Sequence, residues 1–484
     1  MQVCNKSRGA CVKKFSLHSV ANMMAIRPSR VEIGGHRVAL PGIASAEPLM
    51  RGCNQRDWLE KLTALGIRHL VIPLNDGVED ACVFARRHPA SSESESNKSG
   101  VLYDLAHRDE GVFARLHFLF EAAEQIGVLI GISLFNAQGL RSPGPFQRET
   151  NEQGVCFDDL LKGATATESA LLRSVKKKNA TVIRKRAAQR DKMQAALTSA
   201  VDWVAASVRG RRGVWVEVCR GSGADADIAP PPTHVNPLAQ LEPILTQRMI
   251  KMLAKPGEDE AKAKLGPWVA APNDFAWNGS GELHIAPFSI QHDIPIGQRA
   301  IPAPSSTADN EAPRRPQMCW LASGRSEGVR GPQRAALWRS VMRGCWPLVS
   351  FTLSEENDHR GWKDMAQIAT FNRQWVGGGY LRPCPDILSH MPDERVAEGK
   401  ICAATDGAGR YFAFLTESMR GGLKLSTLPG SYRYYWFDPA SGRGLDFGDG
   451  IEGGRRCAVP TPGSVRQALL ILEQEELPDP FSVW

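Results

Sequence analysis

YDLAHRDEGVFARLHFLFEAAEQIGVLIGISLFNAQGL, residues 103–140, is the stretch whose reading decides the fold. Within it, 112–126 places Phe113, Leu116, Phe120 and Ala123 on one face at helical spacing. Gly127 follows, and a glycine there can take the left-handed conformation that ends a helix. The next eight residues, 128–135, are almost wholly apolar, which is the texture of a strand covered on both faces. One amphipathic helix feeding one such strand is the repeating unit of a parallel α/β architecture.

The same unit recurs on either side. Upstream, a β-rich run over 31–43 is interrupted by a Gly-Gly turn. A helix over 57–65 then stops at Gly66, and a strand over 69–74 closes on Asn75 and Asp76. A Ser/Glu-rich stretch, SSESESNKSG, separates this unit from the central one. Downstream, a helix over 193–208 leads to a strand over 213–219, and a Pro-rich stretch precedes a helix over 241–253. Three short strands follow at 268–271, 285–290 and 317–321, then a helix over 333–342 and a strand over 346–351. Strand–helix alternation implies right-handed parallel crossovers, and eight strands favour closure into a (β/α)8 TIM barrel.

Beyond Met391 the texture changes. Short alternating runs at 400–404, 411–415, 423–425, 432–437 and 468–472 are punctuated by Asp-Gly, Gly-Gly and Pro-Gly turns, the pattern of an antiparallel β-sandwich. The expected organisation is an unstructured extension over 1–30, a barrel over 31–384, a linker over 385–399 and a sandwich over 400–484.

Composition narrows the class. The chain has 484 residues, 42% hydrophobic and 23% charged, ordinary values for a globular protein. Net charge is +7. The one dense basic run, Lys176 to Arg190, leads into a helical pattern and reads as a solvated helix face; nucleic acid and acidic polysaccharide are its sharper alternatives. The 11 cysteines include no CxxC pair, and Cys219 and Cys319 sit inside apolar runs; this speaks against a disulfide framework and for a reducing compartment. No apolar run approaches the roughly 18 residues of a membrane span. The N-terminal residues show no signal-peptide core, which favours a cytoplasmic location unless translation starts elsewhere, as at Met23 or Met24. No HExxH or Walker A motif is present, so no metal or cofactor is expected.

The central stretch resembles the third-strand region of cellulase-like glycoside hydrolases from a bacterial branch with a C-terminal β-sandwich. VWVEVCRG (214–221) is similar to their fourth strand, commonly written v.yEi.NE. RRPQMCWLASG (314–324) and LWRSVMRGCWPLVSF (337–351) resemble the seventh and eighth strands. YRYYWFDPASGRG (432–444) and EGGRRCAVPTPGSVRQALLIL (452–472) are similar to the sandwich. The resemblance implies a carbohydrate-active barrel, but it also marks departures. Where those enzymes place their general acid this chain has Arg220 and Gly221, and their seventh-strand acids fall near Trp320 and Ala322.

Hydrolysis of a glycosidic bond needs two carboxyls, about 5 Å apart for retention or about 6.5–9.5 Å for inversion. Glu217 and Glu327 are the catalytic candidates. Glu217 reads equally as a buried carboxylate paired with a barrel cation, and Glu327 as a loop acid beside Arg325 and Arg330. Asn75, Asp76, Asn136, Asp274 and His292 follow apolar runs and belong to the barrel rim, with Arg220 at the end of the fourth strand. Trp277 and Trp320, with Trp215, offer aromatic faces for sugar rings, although tryptophan is as often a core residue. Three functions follow: a glycan-binding pseudo-hydrolase, an active glycosidase with relocated carboxylates among Glu217, Glu327 and Asp274, or a scaffold that binds a partner. The expected partner is an oligo- or polysaccharide, not nucleic acid.

Overall fold

The computed structural model describes residues 24–27, 30–33, 36–37, 41–87, 101–136, 140, 144–157, 159–160, 177–220, 237–254, 268–270, 289–294, 317–321, 331–350, 359–376, 381–388, 400–407, 409–417, 422–454, 457–463 and 466–475. Met24–Arg27 (β1), Arg30–Ile33 (β2) and His36–Arg37 (β3) form a small antiparallel sheet. Regular structure therefore starts ahead of residue 31. The run read as one strand over 31–43 is divided between this sheet and Gly42–Ala44 (β4).

Next along the chain come Gln55–Ala64 (α1), His69–Pro73 (β5), Phe84–Arg87 (β6), Leu102–Arg108 (β7), Glu110–Ile126 (α2) and Leu129–Asn136 (β8). Lys177–Val208 (α3), Val214–Arg220 (β9), Pro237–Leu253 (α4), Trp268–Ala270 (β10), Ser289–Ile294 (β11) and Gln317–Leu321 (β12) follow. Gly331–Met342 (α5), Cys345–Ser350 (β13) and His359–Phe371 (α6) complete this part. Local chemistry sets the ends of α2. The Asp109 carboxylate accepts the Val112 N–H, and Gly127 closes the helix at φ 79°.

Eight strands pair in parallel, in the order β10-β9-β8-β5-β4-β13-β12-β11. Counted along the chain this runs fifth, fourth, third, second, first, eighth, seventh, sixth. The last strand returns to the first, with Leu348 opposite Gly42. That order, with helices between each of the first five strands and between the last two, fits a (β/α)8 fold. Alternate residues divide the two faces. Leu70, Ile72, Ile130, Ile132, Val214 and Val216 share a core with Leu62 of α1, Leu116 of α2 and Leu197 of α3. The residues between them face the barrel interior.

Two helices depart from expectation. The third starts at Lys177, sixteen residues before the apolar stripe that begins at Met193. Lysine, arginine and alanine are good helix formers that leave no hydrophobic period to read. Helix α6 was not anticipated, although its Trp362, Met365 and Ile368 are buried.

The C-terminal elements are Arg382–Pro383 (β14), Ile401–Thr405 (β15), Arg410–Leu415 (β16), Leu423–Leu425 (β17), Ser431–Phe437 (β18), Gly444–Glu452 (β19), Cys457–Val459 (β20) and Ala468–Gln474 (β21). Six of them make one antiparallel sheet, β14-β15-β16-β21-β18-β19, while β17 pairs with β20. One face of the large sheet, with Ala413, Tyr432, Trp436 and Leu470, shares a core with Leu423, Leu425 and Val459 of the small pair. The opposite face, with Phe412, Phe414, Leu469 and Ile471, joins the barrel core. There Trp338 of α5 stacks on Phe414 at 6.2 Å, and Phe371 of α6 stands edge-on to Phe412 at 5.5 Å.

Among the described residues no helix is long and apolar enough to cross a membrane.

Candidate functional site

Trp215 is fully buried and donates its indole N–H to His69 Nε2 at 3.0 Å. An indole N–H can only donate, so Nε2 is the acceptor in this bond. Trp215 reaches His69 by crossing Gly131 on the intervening strand. A Cβ at Gly131 would lie 2.4 Å from the indole, and one at Gly42 would lie 2.6 Å from the His69 ring. The two glycines thus make room for the His69 and Trp215 rings. Trp215 belongs to the barrel floor, in the packing role that the sequence left open.

Two residues along β9, on the same face and roughly 7 Å nearer the mouth, is Glu217. It is 3% exposed, and its Oε2 accepts the Ser133 hydroxyl at 3.0 Å from the paired position on β8. Cys219 follows on that face. Burial first, then Glu242 and Glu217, push its thiol well above the ordinary range, so it stays protonated and unreactive.

The strand ends carry the polar rim. Asn75 is the only non-glycine residue with positive φ, 55°, among those described. Its side chain is fully engaged with backbone: Nδ2 donates to Leu134 O at 3.2 Å and Oδ1 accepts Val83 N–H at 3.1 Å. This latches the turn after β5 onto β8 and presents the next residue, Asp76. Asp76 Oδ1 accepts from Asn136 Nδ2 at 3.0 Å, and both are half-buried. Arg220, 7% exposed, closes β9 opposite Asn136.

Above this rim the β6–β7 hairpin meets the segment 144–157. Tyr103 N–H donates to Thr150 O at 2.8 Å, and Glu152 N–H donates back to Tyr103 O at 2.9 Å. Phe84 stands edge-on to Phe146 at 5.4 Å and to Trp203 of α3 at 5.8 Å. At the centre is Asp104, whose carboxylate accepts from Ala106 N–H, Gln153 Nε2 and Arg87 Nη2 at 2.9–3.0 Å and meets His107 Nδ1 at 2.7 Å. Burial pulls this carboxyl upward, but the Ala106 amide, the Gln153 amide and His107 more than offset it and hold it below the usual range. The His107 side chain is 70% exposed, so the dyad has one solvent-facing ring edge.

Of the residues anticipated from sequence, Asp76 and Asn136 come together, with Asn75 and Arg220 beside them. Glu217 lies deeper, against Ser133. His292 and Trp320 are placed by register alone: His292 in the irregular stretch of β11 between Gln291 and Ile294, and Trp320 opposite Leu348. Glu327, Asp274 and Trp277 fall outside the described residues. Asp104 and His107 were not anticipated, although both lie in the stretch that decides the fold. Among the described residues no group of His, Cys, Asp and Glu is arranged to hold a metal ion.

The chain matches no family model and no curated protein by sequence. Solved structures do resemble it. One glycoside hydrolase superposes with a TM-score of 0.54 at 10% identity, over 95% of this chain and 99% of that one. A family 5 glycoside hydrolase from Bacteroides vulgatus superposes with a TM-score of 0.55 at 8% identity, over 94% of each chain. At such identities the likeness is one of architecture, and the chain shares the fold of these glycoside hydrolases.

Proposed function

We propose that this chain is a carbohydrate-active barrel that binds an oligo- or polysaccharide at the open end of its strands without hydrolysing it. The observation that carries this reading is the fourth strand. Its carboxylate, Glu217, is held inside the barrel by Ser133, and the strand ends on Arg220. An arginine stays protonated throughout the working range, so it cannot deliver a proton to a leaving oxygen as a carboxylic acid does. Asp76 and Asn136 supply what hydroxyl recognition needs, an acceptor and an amide on the rim. Asp274, Trp277, His292 and Trp320 are proposed from the sequence as further sugar contacts. Asn75 acts as a positioning residue through the turn it fixes. The small β17–β20 pair facing the six-stranded sheet supports reading the C-terminal part as a compact sandwich.

The test combines calorimetric titration of neutral and acidic oligosaccharides with a hydrolysis assay, on the wild type and on Glu217→Gln. Binding without product, weakened by Asp76→Ala and insensitive to Glu217→Gln, is the expected result. Turnover that disappears in Glu217→Gln would replace this reading with an active glycosidase built on Glu217 and a partner such as Glu327 or Asp274. Absence of any sugar binding would leave a scaffold.

A further inference from the structure

Helix α3 is longer than the barrel needs. Its first described buried side chain is Met193, and from there to Val208 it packs against the barrel and α4. The sixteen residues before Met193 extend about 24 Å along the axis. Within them Arg184, Lys185, Arg186 and Lys192 are exposed and Arg190 is partly so, against a single acid, Asp191.

The direction of this arm is fixed by its ends. Val208 leads through Gly210 and Gly213 into Val214, at the floor of the barrel, so the N-terminal half points past the mouth. Trp203 already touches Phe84 of the rim hairpin at 5.8 Å. Lys192 lies eleven residues beyond Trp203, about 16 Å further out, and Arg184 about 28 Å. A ligand entering the mouth on the side of β8 and β9 passes along this cationic arm.

The arm is also poorly provided for on its own. Among its described side chains the exposed charges Arg184, Lys185, Arg186 and Lys192 are spread around the helix and none is buried before Met193, so this half draws little stability from packing. Arg186 and Arg190 are like-charged neighbours one turn apart, an unfavourable pair that the ion pair of Arg190 with Asp191 at 3.2 Å offsets only for Arg190. A polyanion laid along the arm would relieve that repulsion. Residues 177–192 contain no aromatic side chain, so the arm lacks the stacking platforms with which proteins grip unpaired bases.

We infer that the N-terminal half of α3 captures an acidic polysaccharide, one bearing uronate or sulfate groups, and delivers it to the barrel mouth. This rests on the glycan-binding reading of the mouth. The experiment titrates the full chain with polygalacturonate, dextran sulfate, uncharged dextran and a DNA duplex, at low and high salt. The variant is Arg184→Gln/Lys185→Gln/Arg186→Gln, all exposed and outside the packed half of the helix.

The expected result is binding of at least one of the two acidic polysaccharides and none of dextran to the arm. The triple variant should lose roughly tenfold or more in affinity and show a shallower salt dependence, with an unchanged melting temperature. The wild type should gain helicity at 222 nm on binding, and the variant should gain less. Preference between polygalacturonate and dextran sulfate assigns the anionic group as carboxylate or sulfate. Equal binding by the triple variant, or binding of neither acidic polysaccharide, overturns the inference; tighter binding of DNA at matched charge overturns it in favour of nucleic acid. If neutral oligosaccharides fail to bind the mouth while the arm still discriminates by charge, the mouth reading falls and the arm stands.

Discussion

The floor and the mouth of this barrel use opposite means to hold polar groups. In the floor, His69 and Trp215 satisfy each other within a close-packed layer, and Gly42 and Gly131 give up their side chains to let them meet. In the mouth, Asn75 spends its whole side chain on backbone so that Asp76 and Asn136 can remain partly open to solvent. A floor built in this way tolerates almost no change of volume, because interiors are packed like molecular crystals. A mouth built in this way tolerates changes of side chain but not of the turn beneath them.

The largest expected effect tests the floor. Trp215→Ala removes a buried aromatic and strands the His69 acceptor, which should cost about 3–5 kcal/mol in a denaturant titration. A cost below about 1 kcal/mol would show that the floor is looser than its contacts imply. Gly131→Ala comes next. The added methyl meets the indole, and a loss of about 1–3 kcal/mol is expected from overpacking. Combining it with Trp215→Leu should recover part of that loss, since neighbouring changes of volume compensate.

The mouth should respond less. Asn75→Ala removes two buried hydrogen bonds and leaves a β-carbon at positive φ, for a cost of about 1–3 kcal/mol. Asn75→Gly should relieve only the backbone part, so the difference between the two variants in thermal melts separates the latch from the strain. If Gly proves no worse than Asn, the latch is not what fixes the turn.

The smallest effect is on pH dependence. Asp104 is held below the ordinary carboxylate range, and so is Asp80, where burial opposes but the Arg51 amide and the Arg86 guanidinium prevail. A carboxyl with a depressed folded pKa contributes stability above its unfolded value, about 3.9, and loses that contribution as pH falls through the folded pKa. Melting temperatures measured downward from neutral pH should therefore drop across and below that value, and Asp104→Asn should flatten the curve. An equal drop in the variant would remove Asp104 from the account.

Much of the barrel was legible because its strands are apolar on both faces. The runs at 69–74, 128–135 and 213–219 each became a strand within a residue or so. What stayed hidden was carried by chemistry with no periodicity. The arm of α3 is helical through charge-rich, high-propensity residues, and β19, GLDFGDGIE, is a strand despite three glycines. At the site, the strand ends pointed to Asp76 and Asn136, but nothing in a linear reading shows that Asn75 is consumed by backbone. Nor does it show that Glu217 is tied to Ser133: the partners of Asn75 lie 8 and 59 residues away, and that of Glu217 lies 84 away. Asp104 was hidden in the same way as far as Arg87 and Gln153 are concerned, which lie 17 and 49 residues away.

The aromatic seam between Trp338, Phe371, Phe412 and Phe414 has a consequence for handling the molecule. Because one face of the C-terminal sheet completes the barrel's own core, neither half is a dispensable cassette. Excising everything after residue 399 would bare Trp338 on α5 and Phe371 on α6 and invite aggregation. A protease cutting once near that junction would instead leave a nicked heterodimer that still melts as one cooperative body.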